Sequence, residues 1–180
     1  MPADARADAT KVHLLPHDPA WAARAADESR RIAAAIGPSI LAIHHIGSTA
    51  IPGIVAKPTI DLMPVVTSAA DLDPCEDPMK RLGYIWRGEF GIAGRRYCPF
   101  EEDGRRIFHV HIYAQDNSQV TRQIAFRDYL RAHRDEACAY EAAKRAAATA
   151  HPDNSLAYNE HKGVWMKGAI ERAETWAAAR

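Results

Sequence analysis

The run from His45 to Val66, HIGSTAIPGIVAKPTIDLMPVV, constrains this chain more than any other stretch. It reads as a strand end, a Gly-Ser turn, a Pro-Gly loop carrying one lysine, and a second strand with a lone carboxylate inside it. Glycine at a strand end removes the Cβ barrier to close backbone approach, so the N–H groups around Gly47 and Ser48 can form an anion-binding nest. Lys57, in the same loop, can add a positive charge to phosphates cradled there. The pattern is not a P-loop, because no GxxxxGK[ST] occurs. Asp61 sits within Thr59–Val66, whose apolar, β-branched content predicts a strand. A carboxylate in such a strand costs several kcal/mol unless it meets a cation, a donor or a metal. A structural ion pair to Arg or Lys satisfies it equally well.

A second polar face is expected further along. Arg95–Phe100 and Arg106–Tyr113 are strand-like runs around an Asp103-Gly104 pair, a hairpin signal. Strand side chains alternate, so Phe108, Val110 and Ile112 share the core face while His109, His111 and Tyr113 share the other. Two histidines at i and i+2 are compatible with metal binding or with contacts to a phosphorylated ligand, and His45 is a candidate third member. Between Arg87 and Arg96, Gly88, Gly91 and Gly94 accompany Glu89 and Arg95, a composition that suits a loop closing over an anionic substrate. Gln123, Arg127 and Arg131 recur every four residues and give one basic helix face.

The remaining pattern predicts an α/β domain. Residues 1–17 read as a mobile tail with a short edge segment near Val12 to Leu15. Residues 18–116 read as the α/β core, and residues 117–180 as a helical part packed on it within a single domain. Asp18-Pro19 starts a first helix and Gly37-Pro38 ends it. Ile40–Ile46 is a strand. Pro74 and Pro78 limit the following segment to a loop and a short helix ending at Gly83, after which Tyr84–Arg87 starts a third strand. Helical periodicity runs from Ser118 to Ala150, breaks at His151-Pro152-Asp153, and resumes from a cap at Asn154 or Ser155.

Composition excludes several classes. With 23 Lys+Arg against 23 Asp+Glu the formal net charge is zero, which argues against a general nucleic-acid binder and gives no drive toward an anionic membrane. No apolar run approaches the ~20 residues that span a bilayer, and the N-terminus lacks the apolar core of a signal peptide, so a cytoplasmic location is expected. Cys75, Cys98 and Cys138 are scattered, as suits unpaired thiols in a reducing compartment. No Gly-x-Ser-x-Gly or HExxH is present, which argues against the common hydrolases.

The blocks HIGSTAIPGIVAKPTIDL, GYIWRGEFGIAGRRY, FHVHIY, AFRDYLRAH and YEAAK together resemble the GrpB family, over about residues 14 to 170. Its members occur alone or fused to dephospho-CoA kinase, and the family is similar to the nucleotidyltransferase superfamily. That resemblance implies a mixed sheet of about five strands with nucleotidyltransferase-like topology, flanking helices, and a Gly-Ser motif at Gly47 and Ser48. It also implies a first metal-binding acid at Asp61. The second acid of the Asp-x-Asp pair is Met63 here, and the later strand offers His109 or His111 where a third acid is expected. The implied site has Gly47, Ser48 and Lys57 on phosphates, and Asp61 with His109 or His111 on one Mg²⁺ or Mn²⁺. Glu89 serves as base or extra ligand, and Arg95, Arg127 and Lys162 as outer contacts. The implied ligand is a nucleotide or another phosphorylated small molecule. The alternative is an inactive binding or assistance module with a protein partner such as dephospho-CoA kinase.

Overall fold

The computed structural model describes residues 11–180. Of the expected tail, residues 1–10 fall outside the described residues; beyond them, Leu15 forms one antiparallel bridge with Ala56 and the Val12 N–H donates to Pro152 O at 2.7 Å. Helix α1 spans Ala20–Ile36. Asp18 Oδ1 accepts from the Ala20 N–H at 2.9 Å, and Gly37 ends the helix at φ 84°, a conformation that glycine reaches without strain. Its inner face, Trp21, Ala25 and Ile32, is buried.

The sheet contains β1 (Ile40–Ile46), β2 (Ile60–Val66), β3 (Arg96–Glu102) and β4 (Arg105–Ala114), in the order β1-β2-β4-β3. β2 and β4 run parallel, and the two outer pairings are antiparallel. The sheet is therefore mixed with four strands, one fewer than expected. The missing strand is the segment from Tyr84. It lies along β3, with Ile85 N–H donating to Pro99 O at 2.9 Å and Arg87 N–H to Tyr97 O at 3.0 Å. Pro99 has no N–H to return, so the ladder stays one-sided there. The hairpin turns at Asp103 and Gly104, both at positive φ, as its Asp-Gly pair predicts.

Alternation divides the sheet into two faces. Ile60, Leu62, Val66, Cys98, Phe108, Val110 and Ile112 pack with α1 and with helix α2 (Glu76–Arg81) into the main core. On the other face, Ile46, Met63, Val65 and Tyr113 pack against Val120 and Ile124 of helix α3 (Ser118–Ala132). Tyr113 is thus a core residue of that face, only 1 % exposed, and the polar lining expected there ends at His111.

Helices α4 (Arg134–Ala150) and α5 (Ser155–Ala178) bring the α-helices among the described residues to five. Asn154 caps α5, its side chain accepting from the Ala157 N–H at 3.0 Å. Ile51 and Ile54, from the loop between β1 and β2, are buried in a cluster with Phe126, Leu130, Tyr140, Ala169 and Ala173 of the three C-terminal helices. The helical part therefore grips the Pro-Gly loop. Among the described residues no helix is long and apolar enough to cross a membrane.

Candidate functional site

Register brings the polar side chains together. Asp61 on β2 is paired directly with His109 on parallel β4, and His111 follows two residues along the same face. His109 Nδ1 and His111 Nε2 each lie 3.4 Å from the same oxygen, Asp61 Oδ1. Ligand atoms of all three lie within 4.8 Å of one another, and among the described residues they form the one such group of His, Cys, Asp and Glu. His45 is not a member. It pairs with Leu62, whose side chain points into the main core, so it sits on the opposite face from Asp61; its Nε2 contacts Thr49 Oγ1 at 2.9 Å, and burial pushes its pKa down to about 4.

The Asp61 carboxylate is 26 % exposed. Burial raises its pKa, but the contacts from His109 and His111 outweigh that and hold it well below the usual carboxylate range, so it is ionised at neutral pH. It also packs on the Gly-Ser turn. Gly47 has φ 70°, and a Cβ added there would lie 2.4 Å from Asp61 Oδ2. The glycine is needed both for its backbone conformation and for the room it leaves the acid. Gly47→Ala is expected to lose about 1–3 kcal/mol in urea unfolding and to displace the Asp61 carboxylate, read as weaker ligand binding.

Beside this cluster is a cavity of about 220 Å³, lined by Asp61, His109, Ser48, Thr59, Tyr158 and Asn159 and by three lysines, Lys57, Lys144 and Lys162. Lys57 comes from the loop before β2 and contacts Ser155 Oγ at 3.0 Å. Lys162 reaches in from α5 with its Nζ 5.1 Å from the Tyr158 ring centre, and burial lowers its pKa while Asp61 opposes the shift. Lys144 on α4 is almost wholly buried and donates to Val55 O. Ser48 Oγ lies 3.2 Å from Tyr140 Oη, tying the Gly-Ser turn to α4. A second cleft of about 430 Å³ adjoins the first through Lys57, Thr59, His109 and Asn159, and extends past Leu15 and Pro58 to Arg105 and Arg106. Three lysine side chains facing one small space suit an anion with several oxygens, as a phosphate has.

Other expected contributors lie elsewhere. Glu89 is 56 % exposed and closes its own loop, its Oε1 accepting from the Gly94 N–H at 2.7 Å; it lines neither cavity. Arg95 is buried, but it pins that loop by donating to Glu89 O and Phe90 O, and its Nη1 lies 3.5 Å from His111 Nδ1. Arg127 donates to His45 O at 3.2 Å and Arg131 to Ala50 O at 2.8 Å, so the basic face of α3 abuts the sheet and fastens the ends of β1 and its turn. Lys144 was not among the sequence candidates. It stands in an alanine-rich helix where a lysine normally faces water, and only its spacing of four from Tyr140 hints at a buried stripe.

The Asp61, His109 and His111 set tests well as a metal site on spacing. A tetrahedral ion with bonds of about 2.1 Å has edges of about 3.4 Å, whereas 3.4 Å is long for a hydrogen bond. One oxygen and two imidazole nitrogens suit Mn²⁺ or Zn²⁺ better than Mg²⁺, which prefers oxygen alone. The Arg95 contact sets a condition. A guanidinium only donates, so without an ion His111 Nδ1 accepts and Nε2 carries the hydrogen; binding an ion through Nε2 surrenders that contact. His109 Nε2 is buried without a partner.

Comparison with known proteins agrees with this architecture. The family model described as GrpB protein matches residues 11–172. The crystal structure of the conserved protein GrpB from Enterococcus faecalis superposes with a TM-score of 0.86 at 34 % identity, covering 92 % of this chain and 99 % of that one. UPF0157 protein YqkA of Bacillus subtilis is 43 % identical over 171 residues, which are 94 % of this chain and 49 % of YqkA, so the chain spans about half the length of that relative. A dephospho-CoA kinase of Mycolicibacterium paratuberculosis is 30 % identical over 191 residues, 92 % of this chain and 47 % of the kinase. With a family model matching residues 11–172 and a fold shared at a TM-score of 0.86, this chain belongs to the GrpB family.

Proposed function

We propose that the chain binds a nucleotide or another phosphorylated small molecule in the paired clefts beside Asp61. The observation that carries this reading is the convergence of Lys57, Lys144 and Lys162 on one cavity with Ser48 at its wall. The cavity of about 220 Å³ holds a phosphate group or two, and the adjoining cleft of about 430 Å³ has the room and the apolar patches for a sugar and base. In this reading Asp61, His109 and His111 hold one Mn²⁺, or another ion of similar preference. The ion supplies Lewis-acid polarisation of a phosphoryl oxygen. Lys57 and Lys162 orient the phosphate, and the Gly47-Ser48 turn supports the carboxylate from behind. The strand order, the Gly-Ser turn after β1 and an acid on β2 are the features on which a nucleotidyltransferase-like topology rests.

A second reading, a binding or assistance module without transfer chemistry, is favoured by Met63. Its side chain is fully buried beneath α3, so the position holds packing where an Asp-x-Asp pair would hold a ligand. The region similar to this chain makes up about half of a protein named dephospho-CoA kinase, which makes such an enzyme the natural partner to test.

Calorimetric titration with ATP, GTP, CTP and UTP, each with and without Mn²⁺ or Mg²⁺, separates these readings. The expected result is saturable binding of at least one nucleotide, strengthened more by Mn²⁺ than by Mg²⁺, and weakened at least about tenfold, or about 1.4 kcal/mol, in Lys57→Met. Pyrophosphate release on incubation with a metabolite pool marks transfer, and binding without release marks the module.

A further inference from the structure

The cavity contains a group that phosphate binding alone does not require. Lys144 is 1 % exposed, yet it lines the cavity. It donates to Val55 O, while Glu141 Oε2, one turn earlier on α4, accepts from the Val55 N–H at 3.0 Å. This clamp fixes the lysine beside Lys57 from the loop and Lys162 from α5. The charged groups that act on it come from α5, α4, β2 and the loop before β2. Burial, then Lys162, lowers its pKa to about 7, with Lys57 adding to the shift and Glu141 and Asp61 opposing it. An uncharged amine held by one N–H keeps a lone pair, and lysines placed next to another cation in a buried pocket are the ones that act as nucleophiles.

We propose that Lys144 is a nucleophilic amine that captures the carbonyl carbon of a phosphorylated aldehyde or ketone, whose phosphate Lys57 and Lys162 hold. This rests on the phosphate-binding reading above and narrows it to carbonyl compounds. A cavity of about 220 Å³ corresponds to about seven water volumes, room for a phosphate with a short carbon chain. The Nζ lone pair forms a bond to the carbonyl carbon, and the C=O electron pair moves to oxygen, which takes the proton that the nitrogen releases. The nitrogen of the resulting carbinolamine then gives up its second proton, the hydroxyl leaves with that proton as water, and the nitrogen lone pair forms C=N. One amine and one carbonyl give one imine and one water, with no change of oxidation state.

The test is reductive trapping on the full chain. D-glyceraldehyde 3-phosphate is incubated with sodium cyanoborohydride, which reduces an imine to a stable secondary amine, and adducts are read by intact mass and peptide mapping. D-glyceraldehyde serves as the control, with Lys144→Met and Lys144→Arg as variants whose folding is checked by circular dichroism. The arginine variant keeps a donor for Val55 O, so it decides the matter if the methionine variant does not fold. The expected result is a single adduct on Lys144, formed at least about tenfold faster than with D-glyceraldehyde, suppressed by inorganic phosphate and absent from the variants. Adducts spread over surface lysines, or undiminished in Lys144→Arg, overturn the nucleophile; calorimetric binding of inorganic phosphate to the same protein then leaves the phosphate site standing. Failure of both trapping and phosphate binding removes both readings.

Discussion

Asp61→Asn is expected to lower affinity for Mn²⁺ more than about a hundredfold while leaving the fold in place. The substitution keeps the side-chain volume beside Gly47, where a Cβ would have no room, and it keeps an oxygen that can accept from His109 and His111. What it removes is the negative charge. Two neutral imidazoles and an amide make a poor site for a divalent ion, and the asparagine offers no charge to replace the carboxylate that His109 and His111 keep ionised in the wild type. Calorimetric titration of Mn²⁺ measures the affinity, and urea unfolding measures the fold. Unchanged Mn²⁺ affinity in a folded Asp61→Asn protein would remove the metal role and leave the cluster as a hydrogen-bonded support for the cavity wall.

Met63→Asp, which restores the acid pair on paper, is expected to destabilise the protein by about 3–5 kcal/mol. Met63 is 0 % exposed and packs with Ile46, Val65, Tyr113 and Val120 between sheet and helix α3. None of these is a cation, and the residue paired with Met63 on β1, His44, has its pKa lowered by burial and by Arg127, so the new carboxylate must either stay charged without a full counter-charge or be protonated at a cost. The variant is also expected to gain no second metal equivalent in calorimetry. A stable Met63→Asp protein binding two ions per chain would contradict the packing account and reopen two-metal chemistry. The two substitutions lie two residues apart on one face of β2, yet one is set against chemistry and the other against packing. The boundary between site and core falls between them.

Much of this was legible in the sequence because it depends on local rules. Strand alternation put Asp61 on a polar face and His109 with His111, and the same alternation, once β1 and β2 are paired, removes His45 to the other side. Asp18, Gly37, Asn154 and the Asp103-Gly104 turn are caps and turns whose chemistry lies within four residues of where it acts. Tertiary partners decided the rest. Arg127 and Arg131 read as a free basic face until α3 lies against β1, where their guanidinium groups meet carbonyls more than eighty residues away in the chain. Charge in a glycine-rich loop groups Glu89 with the site in the sequence, but the Gly94 N–H, five residues on, satisfies its carboxylate locally. Lys144 was missed for the opposite reason. Nothing within its own helix shows that Val55, 89 residues earlier, waits as its acceptor. Along the expected fifth strand Pro99 cannot return the bond it accepts from Ile85, a gap visible in the sequence that matters only once the neighbouring segment is known.

Whether the lysine-lined cavity binds phosphate is decided by titrating the wild-type chain and Lys162→Met with inorganic phosphate in metal-free buffer. Lys162 reaches the cavity from α5 and is not part of the Val55 clamp, so its ammonium can be removed without loosening the loop. The predicted result is one-site binding by the wild type and affinity at least about tenfold lower in Lys162→Met, the loss of one charge-assisted contact of about 1.4 kcal/mol or more. Absence of binding heat with the wild type, or equal affinity in the folded variant, would mean that these lysines do not form a phosphate site.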